Sequence, residues 1–205
     1  MMSKPIVKLV SEWTLYEETH PDTDIHSFCR YVLARDDKQS KTSRGENIGQ
    51  LARIIGRLSS AYGLYHRAAM LGHKLPSPES FYYLNCFVQL GEVKKTELIN
   101  YMFAETTTGM EAINKLIKTG LAKERPDPND GRAKLVSITD KGLKKLKECM
   151  PNAQKVNEMV FQNLSDDTID VCIELLKSAE ATHSRKSVEL KQMSFKDMYD
   201  VMIND

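Results

Sequence analysis

The stretch Leu121–Leu143, LAKERPDPNDGRAKLVSITDKGL, decides the fold. It reads as strand, charged turn, strand and helix start. Ala122–Arg125 and Lys134–Ile138 are predicted to pair, with the Pro/Asp/Asn/Gly cluster Pro126–Gly131 as the tip between them. Two prolines and an Asn-Asp-Gly run are expected to stop either strand from continuing through that tip. The tip then projects into solvent and carries Arg132 at its exit. Thr139 is placed to N-cap the amphipathic run that follows.

Immediately upstream, AETTTGMEAINKLIKTG reads as a helix ending at Gly120. At 100° per residue, Met110, Ile113, Leu116 and Ile117 share one side. Thr107, Thr108, Glu111, Asn114, Lys115 and Lys118 share the other. Hydroxyls, an amide and ammonium groups on one face suit phosphates and base edges in a major groove. A helix followed directly by a basic two-stranded ribbon is a winged-helix layout, with the helix for the major groove and the ribbon for the adjacent minor groove. The expected class is mainly α with a small β-wing: a winged helix-turn-helix domain on a helical dimerisation base.

Glu97-Leu98, Thr107-Thr108, Leu116…Gly120-Leu121 and, above all, Asp127-Pro128…Asp130-x-Arg132…Val136-x-Ile138-Thr139…Lys141-Gly142 resemble the MarR family of transcription regulators. The resemblance spans roughly residues 46–180 and is strongest over 93–146. It implies a homodimer binding double-stranded operator DNA of pseudo-palindromic sequence, often as a repressor controlled by a small-molecule effector or an oxidant. It also implies that the helix over 46–73 helps build the dimer interface and the roof of a ligand pocket. Residues of that pocket are sought among Trp13, Arg57, Tyr62 and Phe81.

The rest of the chain is consistent with such a protein. Net charge is only +1 over 205 residues, but it is unevenly placed. Lys115–Lys147 holds ten basic and four acidic residues, whereas Glu148 onward holds six basic and eleven acidic. The positive charge is thus concentrated on the helix and wing. No run of about 18 apolar residues or signal-peptide pattern occurs, so a cytoplasmic protein without membrane contact is expected. Four scattered cysteines without C-x-x-C fit a reducing compartment and argue against structural zinc.

In chain order, residues 1–45 form an N-terminal helical extension broken at His20-Pro21-Asp22. Asp36–Glu46 is polar and reads as a linker. Residues 46–90 and 148–182 make the helical dimerisation region, 91–147 the winged domain, and 183–205 a tail helix with Phe195, Met198, Tyr199 and Met202 at helical spacing. Ser77 is the expected N-cap of a helix with Pro78 in its first position and Phe81, Leu84, Phe87, Val88 and Leu90 in the core. Arg53, Arg57 and Arg67 are expected to pair with the acidic C-terminal segment. Ile169, Val171, Cys172, Leu175 and Leu176 are expected to face inward.

The candidate DNA contacts are Lys94, Lys95, Thr107, Thr108, Glu111, Asn114, Lys115, Lys118, Arg125, Asp130, Arg132 and Lys134. Lys94 and Lys95 stand at a helix start, where a phosphate is favoured. Arg132 suits a narrow minor groove, with Asp130 expected to hold it by a charge-assisted hydrogen bond; the alternative is a surface ion pair. Glu111 either accepts from cytosine N4 or forms a capping box with Thr108, and the cap is the favoured reading. Gly109 is expected to weaken its helix by up to about 1 kcal/mol. Cys29 is the candidate for a thiol-based oxidant sensor, and a winged-helix protein-interaction module without DNA binding is the other alternative. The five histidines show no metal spacing, and no phosphate loop or nucleophile motif appears, so no cofactor, metal or enzyme activity is expected.

Overall fold

The computed structural model describes residues 5–35 and 43–204 and divides into two units, Met1–Ile54 and Ile55–Asp205. In the first unit, α1 (Pro5–Thr19) and α2 (Ile25–Arg35) are separated by a break in which Asp22 takes φ 70°. Asp24 caps α2, its Oδ1 accepting from the Ser27 N–H at 2.6 Å. Trp13 meets Phe28 edge-on with ring centroids 4.9 Å apart, and Tyr16 packs against Phe28, Tyr31 and His20. Trp13 is therefore part of a small aromatic core within its own unit.

The expected linker lies partly outside the described residues (36–42), and its last three residues are already helical. α3 (Arg44–Met70) starts at Ser43, which forms a capping box with Glu46: Ser43 N–H to Oε2 at 2.6 Å, Glu46 N–H to Ser43 Oγ at 3.3 Å. A short 3₁₀ turn, Leu71–His73, follows it.

α4 (Ser80–Leu90) begins later than the sequence suggests. Ser77 and Pro78 form a tight turn whose carbonyls accept from Ser80 and Phe81, and Glu79 occupies the cap position. Its buried face is Phe81, Tyr83, Leu84, Cys86 and Phe87, while Val88 and Leu90 point out at 51% and 38% exposure. Aromatic and thiol groups take the core places assigned to those two aliphatics.

The winged domain follows: β1 (Val93–Lys94), α5 (Lys95–Tyr101), α6 (Thr106–Lys118), β2 (Ala122–Asp127) and β3 (Asp130–Ile138). The sheet is three-stranded in the order β1-β3-β2, all antiparallel, rather than a two-stranded ribbon. β1 is only two residues long and has no periodicity to read, so pairing with Leu135 and Val136 alone defines it. The two long strands also run further than expected. Pro126 is accommodated because β2 is an edge strand. The turn proper shrinks to Pro128-Asn129, with the register shifting between Pro126↔Lys134 and Asp127↔Asp130.

α7 (Asp140–Phe161) runs unbroken through Pro151, with Thr139 as its N-cap as expected: the hydroxyl accepts from Gly142 N–H at 3.0 Å. α8 (Asp166–Leu190) and α9 (Phe195–Asn204) complete the chain. The core is formed by α4, α5, α6 and α7 closing on the sheet, through Leu84, Phe87, Leu98, Ile113, Leu116, Val136 and Cys149, all nearly inaccessible.

On α8, Val171, Leu175 and Leu176, expected to be internal, are 38–49% exposed, while Ile169 and Cys172 are half-buried. On α9, Met198 and Met202 are the half-buried residues, whereas Phe195 and Tyr199 face out at 82% and 57%. Among the described residues no helix is long and apolar enough to cross a membrane.

Candidate nucleic-acid interface

α6 is fixed against α5 by a close crossing at Gly109, where a Cβ would lie 2.6 Å from Ile99 Cγ1. The glycine that weakens the helix on its own permits the contact that positions it. Ile113, Leu116 and Gly109 are buried, Met110 and Ile117 half-buried, and Thr107, Thr108, Glu111, Asn114, Lys115 and Lys118 are exposed together. α6 starts at Thr106 with Glu105 as N-cap, and no side chain caps it. Thr108 is therefore inside the first turn, and the expected Thr108–Glu111 capping box does not form. The helix ends where Leu121 N–H reaches back to Leu116 O at 2.9 Å.

Much of the basic charge expected to be open is paired within the wing. Glu124 on β2 lies 2.6 Å from both Lys95 Nζ and Lys134 Nζ. Lys134 and then Lys95 hold its carboxyl below the usual range. Lys95 Nζ also donates to Asn114 Oδ1 at 3.1 Å. Arg125 forms a two-pronged pair with Glu92, Nε to Oε1 at 2.8 Å, and ties β2 to the turn after α4. Lys94 stands between Asp127 (3.5 Å) and Asp130 (3.6 Å). Asp127 is buried at the tip, where its Oδ1 accepts from Asn129 N–H at 2.9 Å.

Arg132 differs from these. Asp130 Oδ1 accepts from the Arg132 backbone N–H at 3.1 Å, so it fixes the main chain and not the guanidinium, contrary to the expected side-chain pair. The side chain is exposed and no charged or hydrogen-bonding partner is found for it among the described residues. Arg132 also lies in the longer arm of the register shift between β2 and β3. Among the described residues, the cations of this surface without a recorded partner include Arg132, Lys115 and Lys118.

This arrangement, a polar-faced helix braced by a second helix and followed by a three-stranded wing, matches known proteins. A family model described as winged helix DNA-binding domain matches residues 84–142. The structure is similar to a cysteine-to-serine mutant of MarR from E. coli complexed with operator DNA, at TM-score 0.59 and 19% identity, covering 67% of this chain and 99% of that one. This is the MarR fold. A MarR transcriptional regulator from Methanosarcina mazei Go1 (TM-score 0.59, 20% identity, 65% of this chain and 96% of that one) shares it. So does BpsR of Bordetella bronchiseptica, whose DNA binding is regulated by 6-hydroxynicotinic acid (0.58, 20%, 64% and 98%). No curated protein matches the sequence.

Within the MarR fold of this chain, Tyr62 and Phe81 of the expected ligand-pocket residues both lie against His66, Tyr62 with ring centroids 6.2 Å apart. Phe81 is buried against His66 (centroids 5.2 Å apart), Tyr62 donates to Asn157 Oδ1 at 3.2 Å, and Arg57 is exposed without the expected acidic partner among the described residues. Trp13 belongs to the first unit. Two clefts of the second unit are lined differently. One, of about 330 Å³, lies between α4 and α6 and includes Tyr82, Tyr83, Met102, Thr108, Glu111 and Lys115. The other, of about 290 Å³, lies between α3 and α7 and includes Tyr65, Asn152, Lys155 and Met159.

Cys29 is exposed on α2, whereas Cys86 and Cys149 are buried and burial pushes both thiols up.

Sequence reasoning missed Glu124, Glu92 and Lys191. Glu124 and Lys134 sit on the same face of the β2–β3 pair, which strand alternation makes legible once the register is known. Lys191, just past α8, has no such sequence cue. Its Nζ donates to Ile99 O (3.3 Å), Asn100 Oδ1 (3.2 Å) and Ala104 O (2.8 Å), closing the end of α5 and the turn into α6.

Proposed function

We propose that this protein is a homodimeric DNA-binding transcriptional regulator of the MarR type, acting as a repressor whose operator affinity a small ligand modulates. The observation that carries this reading is the open face of α6 beside an unpaired Arg132. Thr107, Thr108, Glu111, Asn114, Lys115 and Lys118 offer donors and acceptors at major-groove spacing. Arg132, with no partner among the described residues, suits the electronegative minor groove alongside. The pairing of Lys94, Lys95, Arg125 and Lys134 with acids assigns those four mainly to holding the wing on the helix pair. DNA affinity then rests on fewer cations than composition suggests.

Dimerisation is supported by apolar side chains left open on the second unit: Met159 on α7, and Val171, Leu175 and Leu176 on α8. Aliphatic residues at that spacing on long helices suit burial against a second copy. Two subunits then place their α6 helices in successive major grooves, about one helical turn apart. Ligand modulation is supported by the cleft beside α6, since an occupant touching Thr108, Glu111 and Lys115 acts on the proposed reading face directly.

The test is selection of genomic fragments by the purified protein, with Arg132→Ala in parallel. A two-fold-symmetric motif, lost or broadened in the variant, is the expected result. Absence of any motif at moderate salt overturns the reading. For the thiol-sensor alternative, unchanged DNA affinity after mild peroxide treatment removes Cys29 from consideration.

A further inference from the structure

The contact between Lys95 and Asn114 limits what the centre of the α6 face can read. Asn114 lies three residues from Glu111, four from Lys118 and seven from Thr107, which places it mid-face. An asparagine free on both sides of its amide reads adenine in two-pronged fashion: Oδ1 accepts from N6–H while Nδ2 donates to N7. Here Oδ1 already accepts from Lys95 Nζ at 3.1 Å. That assignment follows from chemistry as well as geometry, because an ammonium carries three donors and no acceptor. Only the amide oxygen can face it.

Lys95 is itself anchored. Its side chain is only 16% exposed, and its ammonium lies 2.6 Å from Glu124 Oε2 on β2. Glu124 is held from its other oxygen by Lys134 at 2.6 Å. A chain of two hydrogen bonds and one ion pair, the ion pair being Lys95 to Glu124, thus runs from the wing through the first residue of α5 to the middle of α6. Its outer end is the Nδ2 group of Asn114, which has no partner among the described residues.

We propose that Lys95 is a positioning residue that turns Asn114 into a donor-only reader, so that Asn114 selects guanine over adenine at its base pair. Guanine presents two acceptors, O6 and N7, to an N–H₂ group; adenine presents one acceptor and a donor that then meets no free acceptor. This inference rests on the reading of α6 as the major-groove element.

The experiment is selection from a randomised duplex library, sequenced for the wild-type protein, Asn114→Ala, Lys95→Met and Glu124→Gln. Asn114→Ala identifies the base pair by erasing preference there. At that pair the wild type is expected to favour guanine over adenine by about fivefold or more. Lys95→Met keeps the packed stem and removes the donor, and is expected to move the preference toward adenine. Glu124→Gln retains Lys95 but loosens its anchor, and is expected to shift the preference in the same direction by less. It carries the test if Lys95→Met binds too weakly to select. A wild-type preference for any base other than guanine, an unmoved preference in the variants, or no pair answering to Asn114→Ala overturns the inference while leaving DNA binding intact. Failure of the wild type to enrich any motif removes the functional reading and this inference with it.

Discussion

The α-carbon of Gly142 lies under the carbonyl of Leu121 so closely that a Cβ there would stand 2.0 Å from the oxygen. The same oxygen accepts from the Thr139 N–H at 3.1 Å, while the Thr139 hydroxyl donates to the neighbouring Gly120 carbonyl at 2.7 Å. One peptide group thus joins the end of α6, the end of β3 and the start of α7. Gly142→Ala forces that junction open, and the expected loss is about 3 kcal/mol, read from urea unfolding midpoints at constant m. Unchanged stability would show that the junction yields freely.

At Gly109 helix propensity and packing predict opposite signs. Propensity alone makes Gly109→Ala stabilising by about 1 kcal/mol. The Cβ would meet Ile99 Cγ1 at 2.6 Å, with two further Ile99 carbons at 3.2 Å, and a buried β-branched side chain has few rotamers to retreat into. Gly109→Ala is therefore expected to be destabilising by roughly 1 kcal/mol in the wild-type background, and to lose that cost when introduced into an Ile99→Ala background. A stabilised single variant would put the crossing of α5 and α6 further apart than found.

The two wing arginines should separate in DNA titrations. Arg132→Ala is expected to weaken binding and to reduce the slope of log affinity against log salt by about 1. Arg125→Ala should leave the slope nearly unchanged, because that guanidinium is already engaged by Glu92. Equal slopes for the two variants would mean that the Glu92 pair opens on DNA.

His66 gives stability a pH dependence of known sign. The ring is 1% exposed, its Nε2 has no hydrogen-bond partner among the described residues, and Tyr82 stacks on it with centroids 4.2 Å apart. Burial lowers its pKa below 6.5, with the nearby Glu79 opposing in part. The unfolded chain then binds the proton more readily than the folded one. Its contribution is complete above pH 6.5 and falls as pH drops from 6.5 through the lower folded value. Urea midpoints at pH 7.5 and 5.5 should differ less for His66→Phe than for wild type; an equal difference would assign the pH dependence elsewhere.

Lys191 offers a test of the tail. Removing its ammonium in Lys191→Met frees three acceptors around the end of α5. Amide exchange at Phe103 and Ala104, whose N–H groups bond back to Asn100 and Ile99, is expected to accelerate roughly two- to tenfold. Unchanged exchange would make the contact incidental.

The sequence by itself determined the local architecture. Thr139 had to cap α7, because a hydroxyl before an amphipathic run satisfies the first free N–H groups. The spacing of Met110, Ile113, Leu116 and Ile117 had to turn the other face of α6 outward. Proline, Asn-Asp-Gly and flanking β-formers had to make a hairpin. These are short-range effects, decided within a few residues, and they carried the winged-helix reading.

Tertiary structure decided which charges are free and which side chains are spaced apart. Ten basic residues between Lys115 and Lys147 look alike as letters. Only strand register places Glu124 between Lys95 and Lys134, and only the turn after α4 brings Glu92 to Arg125. The strand β1 exists solely because β3 offers it hydrogen bonds. Gly109, a defect in an isolated helix, becomes a requirement once Ile99 lies across it. In each case the deciding energy comes from a partner distant along the chain, and local periodicity contains no term for it.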